Sequence, residues 1–316
     1  MKIVLTDSVS IVSKDIDLSI FEQFGDFIIY EDTSKEELLE RVKDANVILC
    51  NKTYIGREII ESCKNLEYIG IFATGFNNID LEAASENNIV VSNAGSYSTN
   101  AVAQQVFAYI LNHYMQLDKY SDYVNKGKWK ESKTFAVFDF PTHELADKNI
   151  GIIGYGNIGK KVAQIAKAFD MNVYVYSRRD PQDKNVKFLD LKNLLAVSDI
   201  VTIHTPLNEQ TRHMFNDDTF KLMKRNAILI NTARGSIIKE ESLKKALEEN
   251  IISAAAIDVL KKEPMLPDSI LFNVENLLIT PHTAWAPIET RQRLVKIVAK
   301  NLENFIKGNP SNVVNP

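Results

Sequence analysis

The chain has 316 residues, 45% hydrophobic and 25% charged, which excludes a disordered protein and suffices for two domains with separate cores. A net charge of −4 gives no general basic field, so neither nucleic acid nor an acidic membrane is an expected partner, and a small molecule is. The apolar stretch Ile3 to Leu5 is too short for a signal peptide, and no run is long enough to span a bilayer, so a cytoplasmic protein is expected. Cys50 and Cys63 are too few for a disulfide framework and read as core filling; no metal is expected.

In chain order, short apolar runs at Lys2 to Leu5, Phe27 to Tyr30, Asn46 to Leu49, Tyr68 to Phe72 and Ile89 to Val91 alternate with helical patterns such as Ser34 to Val42, which predicts a parallel sheet with crossover helices. From Asn100 to Gly127 apolar residues recur at helical spacing without an internal Pro or Gly, predicting one long helix that leaves the first domain. Asn149 to Gly159 then reads N-I-G-I-I-G-Y-G-N-I-G, an apolar run feeding into Gly154, Gly156 and Gly159. That spacing opens a dinucleotide-binding unit: one glycine turns tightly, one lets backbone approach a pyrophosphate, and one lets the following helix pack on its strand. A plain strand-to-helix turn is the competing reading, but the helix Lys160 to Phe169 and the strand Val173 to Tyr176 supply the expected context. Further strands are predicted at Ile200 to His204, Ala227 to Asn231, Ala254 to Asp258 and Leu277 to Thr280, and Pro287 opens a last helix that ends at Gly308 and is expected to return to the first domain. The expected fold is α/β, with two Rossmann-like doubly wound parallel-sheet domains and a cleft between them. They comprise residues 1–99 plus 286–316, and 100–285.

Three segments following strands carry charge: Asn231-Thr232-Ala233-Arg234-Gly235, Asp258 to Pro264 and Thr280-Pro281-His282-Thr283-Ala284-Trp285. Here the chain resembles the D-specific 2-hydroxyacid dehydrogenase family over nearly its whole length. Phe72 to Asp80, Tyr97-Ser98-Thr99, Asp139-Phe140-Pro141, Ala284-Trp285-Ala286 and Arg291-Gln292-Arg293-Leu294 look like its glycerate dehydrogenase, or hydroxypyruvate reductase, branch. The resemblance implies a catalytic triad of Arg234, Glu263 and His282.

The chemistry is arguable on its own terms. Reducing a 2-keto acid requires hydride at the carbonyl carbon, a proton at its oxygen and a cation on the carboxylate. His282 is the natural proton donor, Glu263 would stabilise the imidazolium and fix the ring, and Arg234 offers a permanently charged planar fork. Backbone N–H groups of Ala73, Thr74 and Gly75 could cradle the carboxylate, which places substrate between the domains and makes residues 1–99 plus 286–316 the substrate-binding, flavodoxin-like domain. Asn51 and Lys52 read either as substrate-side residues or, for Lys52, as a solvated charge. Each triad residue alone reads as a surface or turn residue; together, each after a strand of one sheet, they read as a site.

The expected cofactor is a nicotinamide dinucleotide held by Gly154, Tyr155, Gly156, Asn157, Ile158 and Gly159. The resemblance adds contacts from His204-Thr205-Pro206, Thr232-Ala233, Asp258 to the nicotinamide carboxamide, and Ala284-Trp285; a buried strand-end acid is the other reading of Asp258. Where NAD-preferring folds carry a strand-end acid, Ser177 is followed by Arg178 and Arg179, so NADP is favoured over NAD, a solvated turn being the alternative. His113, His143 and His213 read as structural or surface residues. The aromatic segment Lys128 to Pro141 packs across a two-fold interface in the resembling family, which implies a homodimer with Trp129 and Phe138 between subunits; packing within one chain is the alternative.

The expected reaction is NAD(P)H-dependent reduction of hydroxypyruvate, and of glyoxylate, to the D-2-hydroxy acid. A broader 2-keto acid reductase and a nicotinamide-sensing corepressor on the same scaffold remain open, whereas formate oxidation fits poorly because Glu263 stands where that branch has a neutral residue.

Overall fold

Strands buried on both faces need mainly apolar side chains, and the runs that alternate with helices here supply them: Val47–Cys50, Ile200–Ile203 and Ile228–Asn231 are buried at every position, with Thr202 and Asn231 the polar exceptions. A computed structural model, describing every residue except Lys14, Pro181 and Pro316, shows two parallel sheets, one in each of two compact units.

The first unit comprises Met1–Ser98 and Ala286–Pro316. Its elements are β1 (Lys2–Leu5), β2 (Asp26–Ile29), α1 (Lys35–Val42), β3 (Val47–Cys50), α2 (Arg57–Ser62), β4 (Tyr68–Ile71), α3 (Leu81–Glu86) and β5 (Val90–Ser92). The sheet order is β2-β1-β3-β4-β5. Ser34 and Glu37 start α1 with a reciprocal capping box, each side chain satisfying the other's backbone N–H.

The second unit runs from Thr99 to Trp285. It contains α4 (Thr99–Met115), α5 (Leu117–Asn125), β6 (Asn149–Ile153), α6 (Asn157–Ala168), β7 (Asn172–Tyr176), β8 (Lys187–Phe188), α7 (Leu191–Val197), β9 (Ile200–Ile203), α8 (Asp217–Phe220), β10 (Ile228–Asn231), α9 (Glu240–Glu248), β11 (Ala254–Ile257) and β12 (Leu277–Ile279). The order β12-β11-β10-β9-β6-β7-β8 reverses between β6 and β9, and open α/β sheets bind ligands at the carboxyl ends of strands beside such a switch. α4 and α6 cover one face through Val106, Ile110, Val162 and Ala166, while Leu194, Phe220 and Leu243 pack on the other.

The chain returns to the first unit as α10 (Ile288–Ile306), which lies on β4 with Phe305 and Tyr68 rings 4.8 Å apart. An antiparallel bridge then pairs Ser92 with Val313.

One expectation is corrected. The single helix over Asn100 to Gly127 is broken: Gln116 takes a left-handed backbone with φ 51° and separates α4 from α5. In the aromatic segment Phe140 packs within the chain, edge-on to Tyr120 at 5.1 Å, whereas Trp129, Phe135 and Phe138 are 51%, 93% and 86% exposed.

Candidate active site

β6 delivers the chain to Gly154, whose φ of +95° is open to glycine and strained for other residues. A Cβ there would lie 2.7 Å from the His204 carbonyl, and one on Gly159 would lie 2.1 Å from the Gly154 carbonyl oxygen, so both glycines are required by close backbone packing. Gly156 differs, since a Cβ there would meet nothing within 4 Å. The open space lies at the amino end of α6, a helix of 12 residues whose N-terminal dipole favours phosphate. A dinucleotide pyrophosphate fits this cradle. Tyr155 donates to Asp183 at 2.8 Å, and burial together with that carboxylate pushes the phenol up to about 12.

At the end of β7, the Ser177 hydroxyl donates to the Arg179 carbonyl, while Arg178 and Arg179 are exposed with no ion pair among the described residues. After β9, desolvation holds the His204 imidazole down at about 3, so the ring is neutral at pH 7 and bonds Thr202 at 2.9 Å through Nε2.

The three predicted catalytic residues follow β10, β11 and β12, neighbouring parallel strands in register from Asn231 through Ile257 to Ile279. Asn231 shapes the first loop by accepting from Ala233 N–H and donating to the Arg234 carbonyl, each at 3.0 Å. The exposed Arg234 guanidinium donates to the Ala233 carbonyl at 2.7 Å. Gly235 brings this loop against the next, because a Cβ there would lie 2.0 Å from the Leu260 carbonyl carbon.

Glu263 uses both oxygens. One accepts Leu260 N–H at 2.9 Å and the other meets His282 Nδ1 at 2.6 Å. The carboxylate therefore fixes the ring and directs the Nδ1 proton toward itself, leaving Nε2 as the nitrogen able to exchange a proton with a ligand. His282 itself has φ 55°, and its N–H donates to the carbonyls of Asp258 at 2.9 Å and Thr280 at 3.0 Å. The Asp258 carboxylate, 2% exposed, accepts from the Thr280 hydroxyl and from the N–H groups of Thr283 and Ala284, at 2.9 and 2.8 Å. Asp258 is thus a buried strand-end acid that holds the histidine loop.

In the first unit, carbonyls of the Ala73 to Gly75 loop are tied back, Ala73 accepting from Ala94 N–H at 2.9 Å and Thr74 from Asn93 at 2.7 Å. The N–H groups of Ala73, Thr74 and Gly75 make no hydrogen bond among the described residues. Sequence reasoning missed Asp7, which is 3% exposed and accepts the N–H groups of Asn51, Lys52 and Thr53. An acid two residues beyond an apolar first strand was the available signal. No group of three or more His, Cys, Asp or Glu able to hold a metal ion is found among the described residues.

This glycine loop and sheet order define a dinucleotide-binding α/β protein. Residues 107–284 match the NAD-binding domain of the D-isomer specific 2-hydroxyacid dehydrogenases. The chain is 38% identical to a hydroxypyruvate reductase of Blautia hydrogenotrophica, covering 100% of both, and 38% identical to a glycerate dehydrogenase of Methylorubrum extorquens, covering 90% of each. A solved acyclic imino acid reductase in complex with NADPH and D-arginine superimposes with a TM-score of 0.86 at 30% identity, over 99% of this chain and 100% of that one. The chain belongs to the D-2-hydroxyacid dehydrogenase family.

Proposed function

We propose that this enzyme reduces hydroxypyruvate, and glyoxylate, to D-glycerate and glycolate with NADPH. The observation that carries the reading is the His282–Glu263 pair, 2.6 Å apart, at the carboxyl end of the sheet that also bears the glycine cradle.

The nicotinamide, when bound, supplies hydride. Gly154 to Gly159 hold the pyrophosphate, and Thr205, Pro206, Thr232, Ala233, Ala284 and Trp285, beside the ends of β9, β10 and β12, flank the rest of the cofactor. Arg178 and Arg179 take the ribose phosphate, with Ser177 placing no carboxylate against it. Arg234 swings from its own backbone to the substrate carboxylate and carbonyl, and in the first unit the N–H groups of Ala73, Thr74 and Gly75, which have no acceptor among the described residues, form a nest suited to an anion. His282 passes a proton from Nε2 to the carbonyl oxygen while Glu263 stabilises the positive ring. Asp258, with three of its acceptor positions committed, has capacity left for the carboxamide.

The test is loss of NADPH absorbance with hydroxypyruvate, glyoxylate, pyruvate and phenylpyruvate in parallel. Hydroxypyruvate is expected to give the highest kcat/KM. Equal rates with the bulky phenyl acid would establish a broader reductase, and cofactor binding without turnover would establish a sensor. His282→Asn is expected to abolish most turnover and spare cofactor binding.

We also propose a homodimer, because the exposed Trp129, Phe135 and Phe138 lie in one segment and apolar side chains so grouped favour a protein partner. Sedimentation showing a stable, active monomer would reject it. Free, buried Cys50 and Cys63 suit a reducing compartment such as the cytoplasm.

A further inference from the structure

Tyr109 stands on α4, is 3% exposed, and has no part in the chemistry so far described. Its hydroxyl is hydrogen-bonded to the Thr280 hydroxyl, and Thr280 in turn donates to Asp258 Oδ1. A hydroxyl has one proton. With the Thr280 proton given to the carboxylate, the Thr280 oxygen accepts and Tyr109 is the donor, so the chain of bonds has a fixed direction. Gln105, one turn earlier on α4, contacts the same tyrosine hydroxyl.

The relay ends on the histidine loop. Asp258 takes the N–H groups of Thr283 and Ala284, the two residues after His282, while the His282 N–H is held by the Asp258 and Thr280 carbonyls. A histidine at φ 55° needs surroundings that over-determine its backbone, and these bonds run through Thr280 and Asp258. Tyr109 anchors them to a helix whose inner face lies in the core.

The geometry points to Tyr109 as a positioning residue, which through Thr280 and Asp258 sets the backbone of the His282 loop and hence the aim of Nε2. This rests on His282 being the proton donor. Tyr109→Phe keeps the ring in the core and removes only the hydroxyl. It is expected to lower kcat for hydroxypyruvate reduction about tenfold, the worth of one buried hydrogen bond, with NADPH affinity unchanged within about twofold.

The decisive measurement is the double variant. If Tyr109 acts through His282, adding Tyr109→Phe to His282→Asn changes the residual rate by less than about twofold, whereas a merely structural loss would persist in full. Thr280→Val is expected to reproduce the tenfold loss without adding to Tyr109→Phe, and Thr280→Ser, which keeps the relay, to restore the rate. Should Tyr109→Phe fold poorly, the Thr280 pair carries the same test. Unchanged kcat in Tyr109→Phe, or a full tenfold loss in the His282→Asn background, overturns the proposal. His282→Asn retaining normal turnover on its own overturns the assignment of the proton donor instead, and does so with Tyr109 intact.

Discussion

Gly235 allows a quantitative test of how the loops carrying Arg234 and Glu263 are held. Adding one methyl in Gly235→Ala places Cβ 2.0 Å from the Leu260 carbonyl carbon, 2.2 Å from its oxygen and 2.4 Å from Lys261 nitrogen. Real Cβ contacts do not fall below 3.0 Å, so backbone must open by about 1 Å, and no flexible side chain is available to absorb it. The loop of Arg234 lies on one side of this contact, and on the other lies the loop whose Leu260 N–H is gripped by Glu263. A misplacement of about 1 Å costs about 10²-fold in rate when it separates groups that act on one substrate. Gly235→Ala should therefore lose about 10²-fold in kcat/KM for hydroxypyruvate. NADPH affinity, read by fluorescence titration, should change little, because the glycine cradle after β6 is untouched. Overpacking should also lower stability by roughly 1–3 kcal/mol, so the assay belongs well below the melting temperature. A folded Gly235→Ala enzyme with normal kcat/KM would refute the claim that this contact sets the site.

Glu263→Gln offers one acceptor and one donor where two donors now meet the carboxylate, so one of the two bonds is lost; kcat/KM should fall by about 10- to 100-fold, as expected for a charge-assisted bond of roughly 1.5–3 kcal/mol. A loss below twofold would dismiss its role. Replacing both Arg178 and Arg179 by Ala should raise KM for NADPH at least tenfold and leave that for NADH nearly constant, and steady-state kinetics with both cofactors checks this. Asp199 supplies a pH prediction: burial works to raise its pKa, but the Asn149 N–H and the Lys224 ammonium, each at 2.9 Å, prevail and hold it below the ordinary value. A group depressed in the folded state stabilises above the unfolded pKa of about 4 and loses that contribution as pH falls through the folded value. Asp199→Asn should thus lower stability by about 1–2 kcal/mol at pH 7 and flatten the acid limb of the denaturation profile, and an unchanged limb would count against it.

The glycine loop was legible because its chemistry is local: turn, strand and helix all lie within residues 149–168. Arg234, Glu263 and His282 were legible as strand-end charges, yet the means by which their loops are held was not. That Gly235 packs on Leu260, or that the Asp258 carboxylate takes Thr280, Thr283 and Ala284, depends on pairing strands distant in sequence. The break at Gln116 had no warning, since neither Gly nor Pro marks it and the apolar spacing continues through. The side chain of Gln116 donates to the His113 carbonyl at 2.5 Å, and its N–H to Asn112 at 3.1 Å, closing α4 by local bonds any polar residue could disguise. β8, with two residues, is too short to register a period of two.

The return of α10 to β4 also bears on how the protein is made. Synthesis proceeds from the amino end, and the uninterrupted segment from Thr99 to Trp285 emerges complete while the first sheet still lacks the helix that covers Tyr68. Strands made before the second unit are thus sealed only after it, and they wait with apolar surface uncovered until Val298 and Phe305 arrive. A circular permutant that begins at Ala286 would abolish the delay, and nascent-chain aggregation during translation should fall accordingly.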